Sequence, residues 1–222
     1  MEALRRSTSR AAYVAAALNA VGACTMLLLL QPGLPVEGSK LADRVAWVDA
    51  HHALWWAGWI TWHAAAISLL GLYVGLSLLW RVHAPLLSRL ALLVAAAGLA
   101  SDLGAEAVYM GVMPGMGKEA FGVGEVYAAV MTGYLGNGLY AVAGVMLTIA
   151  GAREMPRTVS TLAWLVWADA AWLSAAALTH SAFGMFWSTA VLEPLFVGWT
   201  VLLAHSIRST KTHEDTRRGE GG

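Results

Sequence analysis

Charge is scarce in this sequence. Only 13% of its 222 residues are charged, about half the share found in soluble domains. The scarcity is uneven, with long stretches almost free of charge and short ones crowded with it, as in a chain that crosses a bilayer several times. Cysteine is nearly missing too. Cys24 is the only one, which excludes an intramolecular disulfide and any CxxC metal or redox motif. No lysine falls inside an apolar stretch, so none is placed to hold retinal as a Schiff base. The chain contains no catalytic GxSxG, no EExxxR and no HEXXH, leaving rhomboid, CAAX-protease and lipid-phosphatase chemistry without a motif. The formal net charge is zero and no basic stripe is present, so nucleic acid is not an expected partner. No motif names a cofactor, and no metal ligand set is assigned.

Apolar length is what the chain has in abundance, with 58% of residues hydrophobic. A bilayer takes about 20 apolar residues per helix. Six segments qualify, at about 11–30, 53–80, 86–113, 125–150, 159–180 and 182–206. Pro and Gly punctuate the gaps in "QPGLP", "MPGMGKEAFGVG" and "GAREMPR". The break "THSAFG" between the last two segments predicts a tight hairpin. None of the segments alternates as a strand would, and irregular backbone cannot face lipid. The expected fold is therefore all-α, a polytopic transmembrane helix bundle with six spans. Residues 1–206 form its single domain, and 207–222 a polar, disordered cytoplasmic tail. The basic leader "MEALRRSTSR" precedes an apolar run too long for a signal-peptide core, so it reads as the first span.

Basic residues set the orientation. With both termini cytoplasmic, eleven of the fourteen Lys and Arg fall on the inner side, and only Lys40, Arg44 and Lys118 outside. That is a positive-inside bias in a multi-pass protein of the inner (plasma) membrane.

Four acids interrupt the apolar spans: Asp102 and Glu106 in the third, Asp169 in the fifth, Glu193 in the sixth. An ionisable group at such depth costs at least ~2.5 kcal/mol on insertion scales and marks function by default. No Lys or Arg lies at their depth, which leaves His63 as the candidate basic partner. Asp102, Glu106 and Tyr109 share one helical face at i, i+4, i+7, and so do His52, Trp56, Trp59 and His63. Pro194, just after Glu193, removes a backbone donor and predicts a kink. In "TGYLGNGLY", Tyr134 and Asn137 add polar groups to a glycine-rich helix face. Trp47, Trp55, Trp56, Trp187 and Trp80 read as interfacial anchors. Trp59, Trp62, Trp164, Trp167 and Trp172 lie deeper. Together these residues predict an outward-facing cavity with an acidic floor and aromatic walls.

Three functions fit that inventory. The first is an acid–base enzyme, of isomerase or cyclase type, on an apolar isoprenoid- or sterol-like substrate. Asp102, Glu106, Asp169, Glu193 and His63 would be its catalytic groups. Trp59, Trp62, Tyr109, Tyr134, Asn137, Trp167 and Trp172 would bind substrate, the indoles steadying cationic character. The second is a transporter or binding protein for a proton, metal ion or organic cation. Six spans are few for a transporter, so this reading calls for a homo-oligomer. The third is a haem or copper protein using His51, His52 or His180, or His83 and His205 at the other edge. The expected partners are membrane lipid and a small hydrophobic or cationic ligand.

Overall fold

A computed structural model describes the backbone of residues 1–219 and the side chains of residues 1–209. The described residues contain no strand, and six helices among them are long and apolar enough to cross a membrane. Helix α1 (Glu2–Thr25) is Ala-rich, a composition with strong helix propensity. It continues without a break through a π-helical turn, Met26–Leu30, and a 3₁₀ turn, Gln31–Gly33. The leader expected to precede the first span is thus the first part of its helix. Next come α2 (Leu41–Ala50), α3 (His52–Trp80) and α4 (Pro85–Gly111). Pro85 stands at the start of α4, where its missing N–H would have no partner anyway. The fourth span is composite: α5 (Lys118–Ala128), a π-helical stretch Ala129–Gly136, and α6 (Asn137–Ala150). Helices α7 (Arg157–Leu178) and α8 (Ala182–Gly219) complete the chain. They are joined by three residues, and His180 takes a φ of 53° in that turn, a region His enters more readily than most side chains.

Two expectations change. Helix α2 falls between the first and second predicted spans, where only a loop was expected. The tail predicted to be disordered from 207 continues α8 as helix through Gly219; the rest of the predicted tail, 220–222, lies outside the described residues.

The six spans form a ring. Each packs on the next in chain order, and α1 closes the circle against α8. Ser9 Oγ donates to the Ala204 carbonyl at 2.9 Å across that closing seam. Small residues let the helices approach. A Cβ on Gly133 would sit 2.6 Å from the Ala177 Cβ, and one on Gly144 would sit 2.5 Å from the Trp167 indole. Aromatic side chains fill the ring's middle. Tyr73 Oη donates to the Tyr140 carbonyl at 3.0 Å. Trp167 meets Tyr73 and Trp199 edge-on at 6.3 and 5.0 Å, the arrangement ring quadrupoles favour. Its Nε1 donates to Thr148 Oγ1 at 2.8 Å.

The tryptophans sort differently from their depth in sequence. Trp56 and Trp187 are about half exposed, as anchors would be, but Trp55 and Trp80 are buried in protein. Trp164 and Trp172, predicted to be deep, are 47% and 45% exposed on the outer surface of the ring. An indole facing outward from an apolar helix is compatible with lipid contact, so position along a span does not set burial.

Candidate functional site

Helices α3, α4 and the π-helical stretch bring three of the singled-out ionisable groups together. His63 lies eleven residues into α3, about 16 Å from its start by helical rise. Its Nδ1 contacts Glu106 Oε2 on α4. The Glu106 side chain is 3% exposed and the His63 side chain 19%, so the pair spans from the packed interior to a more open edge. Asp102, one turn from Glu106, lies within its electrostatic reach. Asp102 Oδ1 accepts from Thr132 Oγ1, and Oδ2 from Tyr140 Oη at 3.3 Å.

The π-helical stretch explains why Thr132 arrives there. A π-helix adds a residue per turn and re-aims the side chains beyond it, and such segments recur at functional sites. Two polar contacts hold this one. Ser101 Oγ donates to the Met131 carbonyl at 2.7 Å, and Asn137 Nδ2 donates to the Thr132 carbonyl at 3.1 Å. Asn137 therefore supports the wall from within its own helix. Tyr134, by contrast, is 38% exposed.

Aromatic rings roof the cluster on its α2 side. Trp59, one turn from His63, stacks on Tyr109 with centroids 4.1 Å apart and planes 6° from parallel. Trp55 meets both edge-on and donates from Nε1 to the Tyr109 carbonyl at 2.7 Å. Trp62 turns the other way, its ring against Gly22 of α1. The indole N–H groups of Trp59 and Trp62 are buried without an acceptor among the described residues.

The other two acids stand apart from this group. Asp169 Oδ2 accepts from Ser188 Oγ at 3.1 Å, between α7 and α8. Glu193 is buried on α8 beside Pro194, and its Oε2 has no hydrogen-bond partner among the described residues. Trp167 belongs to the central aromatic packing and Trp172 to the exposed surface. The predicted four-acid floor thus resolves into one cluster, one hydroxyl-bonded acid and one solitary acid, and the four indoles expected to bind substrate do not surround one point.

The histidines of the metal reading are also accounted for. His51 Nδ1 lies 2.9 Å from the Trp47 carbonyl, with its ring stacked on that indole. His52 and His205 are exposed, His83 Nε2 is 3.1 Å from Glu154, and His180 forms the turn. Among the described residues no three His, Cys, Asp or Glu side chains converge as a metal centre requires.

Sequence reasoning missed Thr132, Tyr140 and Ser188. A hydroxyl in an apolar helix usually bonds back to its own helix, so nothing in its sequence position signals a carboxyl partner on another helix. Nor did it pair Arg44, read only as one of the outer basic residues, with Glu125 of α5. They form a buried two-bond ion pair, Nε to Oε1 at 2.8 Å and Nη2 to Oε2 at 2.6 Å. No family model, curated protein or solved structure matches this chain. A function must therefore be argued from the site itself.

Proposed function

We propose that this is a multi-pass protein of the plasma (inner) membrane with both termini cytoplasmic, and that it is an acid–base enzyme acting on an apolar, isoprenoid- or sterol-like substrate. The observation that carries the reading is the His63–Glu106 contact with Asp102 one turn away, under the Trp59–Tyr109 stack. His63 Nδ1 and Glu106 Oε2 touch without forming a hydrogen bond; a carboxyl in that place would orient the imidazole and leave Nε2 to face a reacting group, as second-position carboxylates do for catalytic histidines. Asp102 has its own hydroxyl partners and supplies a second group able to give or take a proton.

Two such groups suffice for a double-bond shift. One delivers a proton to the far carbon of the double bond, which leaves cationic character on its other carbon; the second removes a proton from the allylic carbon beside it, and the double bond has moved by one position. The substrate's composition is unchanged. Cationic character along that path is stabilised by the Trp59 π face. The unpaired indole N–H of Trp59 suits a substrate that carries an oxygen, because buried donors seek acceptors. Asp169 and Glu193 have no part in this step.

The test is turnover of isoprenoid and sterol substrates by the purified protein. His63→Ala and Asp102→Asn should each lower turnover by about 10²–10⁴-fold, the range for general acid–base groups, while Asp169→Asn stays near wild type. Undiminished turnover in the first two variants would remove the assignment.

A further inference from the structure

We infer that α2 is a lid that opens to admit ligand to the His63–Glu106 cluster, and that the Arg44–Glu125 ion pair is its latch. The inference rests on reading that cluster as the working site. The experiment below reads access rather than turnover, so the two readings fail separately.

A continuous column of rings links α2 to the cluster. Trp47 of α2 meets Trp55 edge-on at 6.3 Å. Trp55, fully buried, meets Trp59 at 5.5 Å and Tyr109 at 5.8 Å. Those two rings sit one turn from His63 and Glu106 along α3 and α4. Val48 of α2 packs into the same apolar group, with Leu30, Met113 and Phe121. Tyr109 also lies within electrostatic reach of Arg44 and Glu125. Below the cluster the ring's middle is filled by Tyr73, Trp167 and Trp199.

The attachment of α2 is that of a hinged piece rather than a fixed plug. Its opposite face is exposed at Ala42, Asp43, Ala46, Asp49 and Ala50. Polar tethers hold it at discrete points. Arg44 binds Glu125 of α5 through both bonds described above, and its Nη1 reaches Ser39 Oγ at 3.0 Å. Asp49 Oδ1 accepts from the Gly115 N–H at 2.9 Å. The backbone can turn at both ends without disturbing a span. Gly38 precedes α2 with a φ of 79°, a conformation glycine adopts freely. His51, with φ −124° and ψ 37°, separates α2 from α3. The latch is ionic, and that suits a reversible closure. Separating the pair into water returns the hydration of both ions, whereas removing one partner leaves a lone buried charge and makes the closed state costly.

The experiment uses full-length protein in detergent, with Cys24→Ala to remove the exposed thiol and Ala105→Cys to place a reporter in the apolar group that Val48 of α2 joins, where Ala105 is fully buried. The probe is a charged maleimide, and its rate of reaction is followed by mass spectrometry. Labelling should be slow in this parent. Arg44→Glu should accelerate it by at least about tenfold, since a like-charge pair shifts the closed–open balance. Arg44→Glu with Glu125→Arg should return it to the slow rate. Asp49→Ala, which removes an exposed tether, should give a smaller acceleration and serves if the charge reversal fails to fold. Fast labelling in the parent, no acceleration in Arg44→Glu, or no effect of Asp49→Ala where Arg44→Glu cannot be purified would each overturn the lid.

Discussion

At the scale of single residues, the cluster's contacts can be removed one at a time. Glu106→Gln keeps the size of the side chain but replaces the carboxyl that faces His63 Nδ1. Turnover should fall by about 10²-fold, and Glu106→Asp should recover part of it; equal activity in wild type and Glu106→Gln would deny Glu106 its orienting role. The aromatic middle makes a separate prediction. Trp167→Phe loses the bond to Thr148 and should lower stability by about 1 kcal/mol, read as a fall in the thermal midpoint in detergent. Sequence alone pointed to His63, Asp102 and Glu106, because ionisable groups in apolar helices are costly enough to need a reason. It could not separate them from Asp169 and Glu193, which are equally conspicuous as letters. Only the rotation of each helix decides which acid meets a partner, and helical spacing gives relative angle within one helix but not between two.

Elements differ sharply in how readable they were. The long spans follow from apolar length, and their predicted ends fall within a few residues of the helix ends in most cases. Helix α2 did not, because ten residues with charged and apolar groups mixed resemble a loop in any window sized for a span. The π-helical stretch was equally hidden, as its sequence is ordinary helix material and its geometry comes from packing on α4 and α7. Asn137→Ala tests what holds it. Loss of the bond to the Thr132 carbonyl should cost about 0.6–1.7 kcal/mol, as interhelical and intramembrane side-chain bonds do, and should lower turnover by shifting Thr132 away from Asp102. Unchanged stability and activity would make the stretch independent of Asn137. Close approach of α6 and α7 is tested by Gly144→Ala. Its new Cβ meets the Trp167 ring, and overpacking should cost about 1–3 kcal/mol in thermal or denaturant unfolding.

On the scale of the whole molecule, the proposed topology has six crossings, which would leave both ends of the chain on one side, and the distribution of Lys and Arg points to the cytoplasm as that side. Reporter fusions at residue 1 and after Gly222 should both read cytoplasmic, and opposite readings would break the six-span topology. The ring leaves its outer surface apolar and its His63–Glu106–Asp102 cluster near the α2 end, so in the proposed reading an apolar substrate has lipid around it and a closed helix above it. The claim that matters most is that this cluster moves protons on such a molecule. The most direct measurement is to incubate the purified protein with a neutral-lipid extract in D₂O and search by mass spectrometry for lipids that gain deuterium at carbon. The account predicts an isoprenoid- or sterol-like species labelled by the wild-type protein and by Asp169→Asn, and not by His63→Ala. No labelled lipid above the His63→Ala background would contradict it.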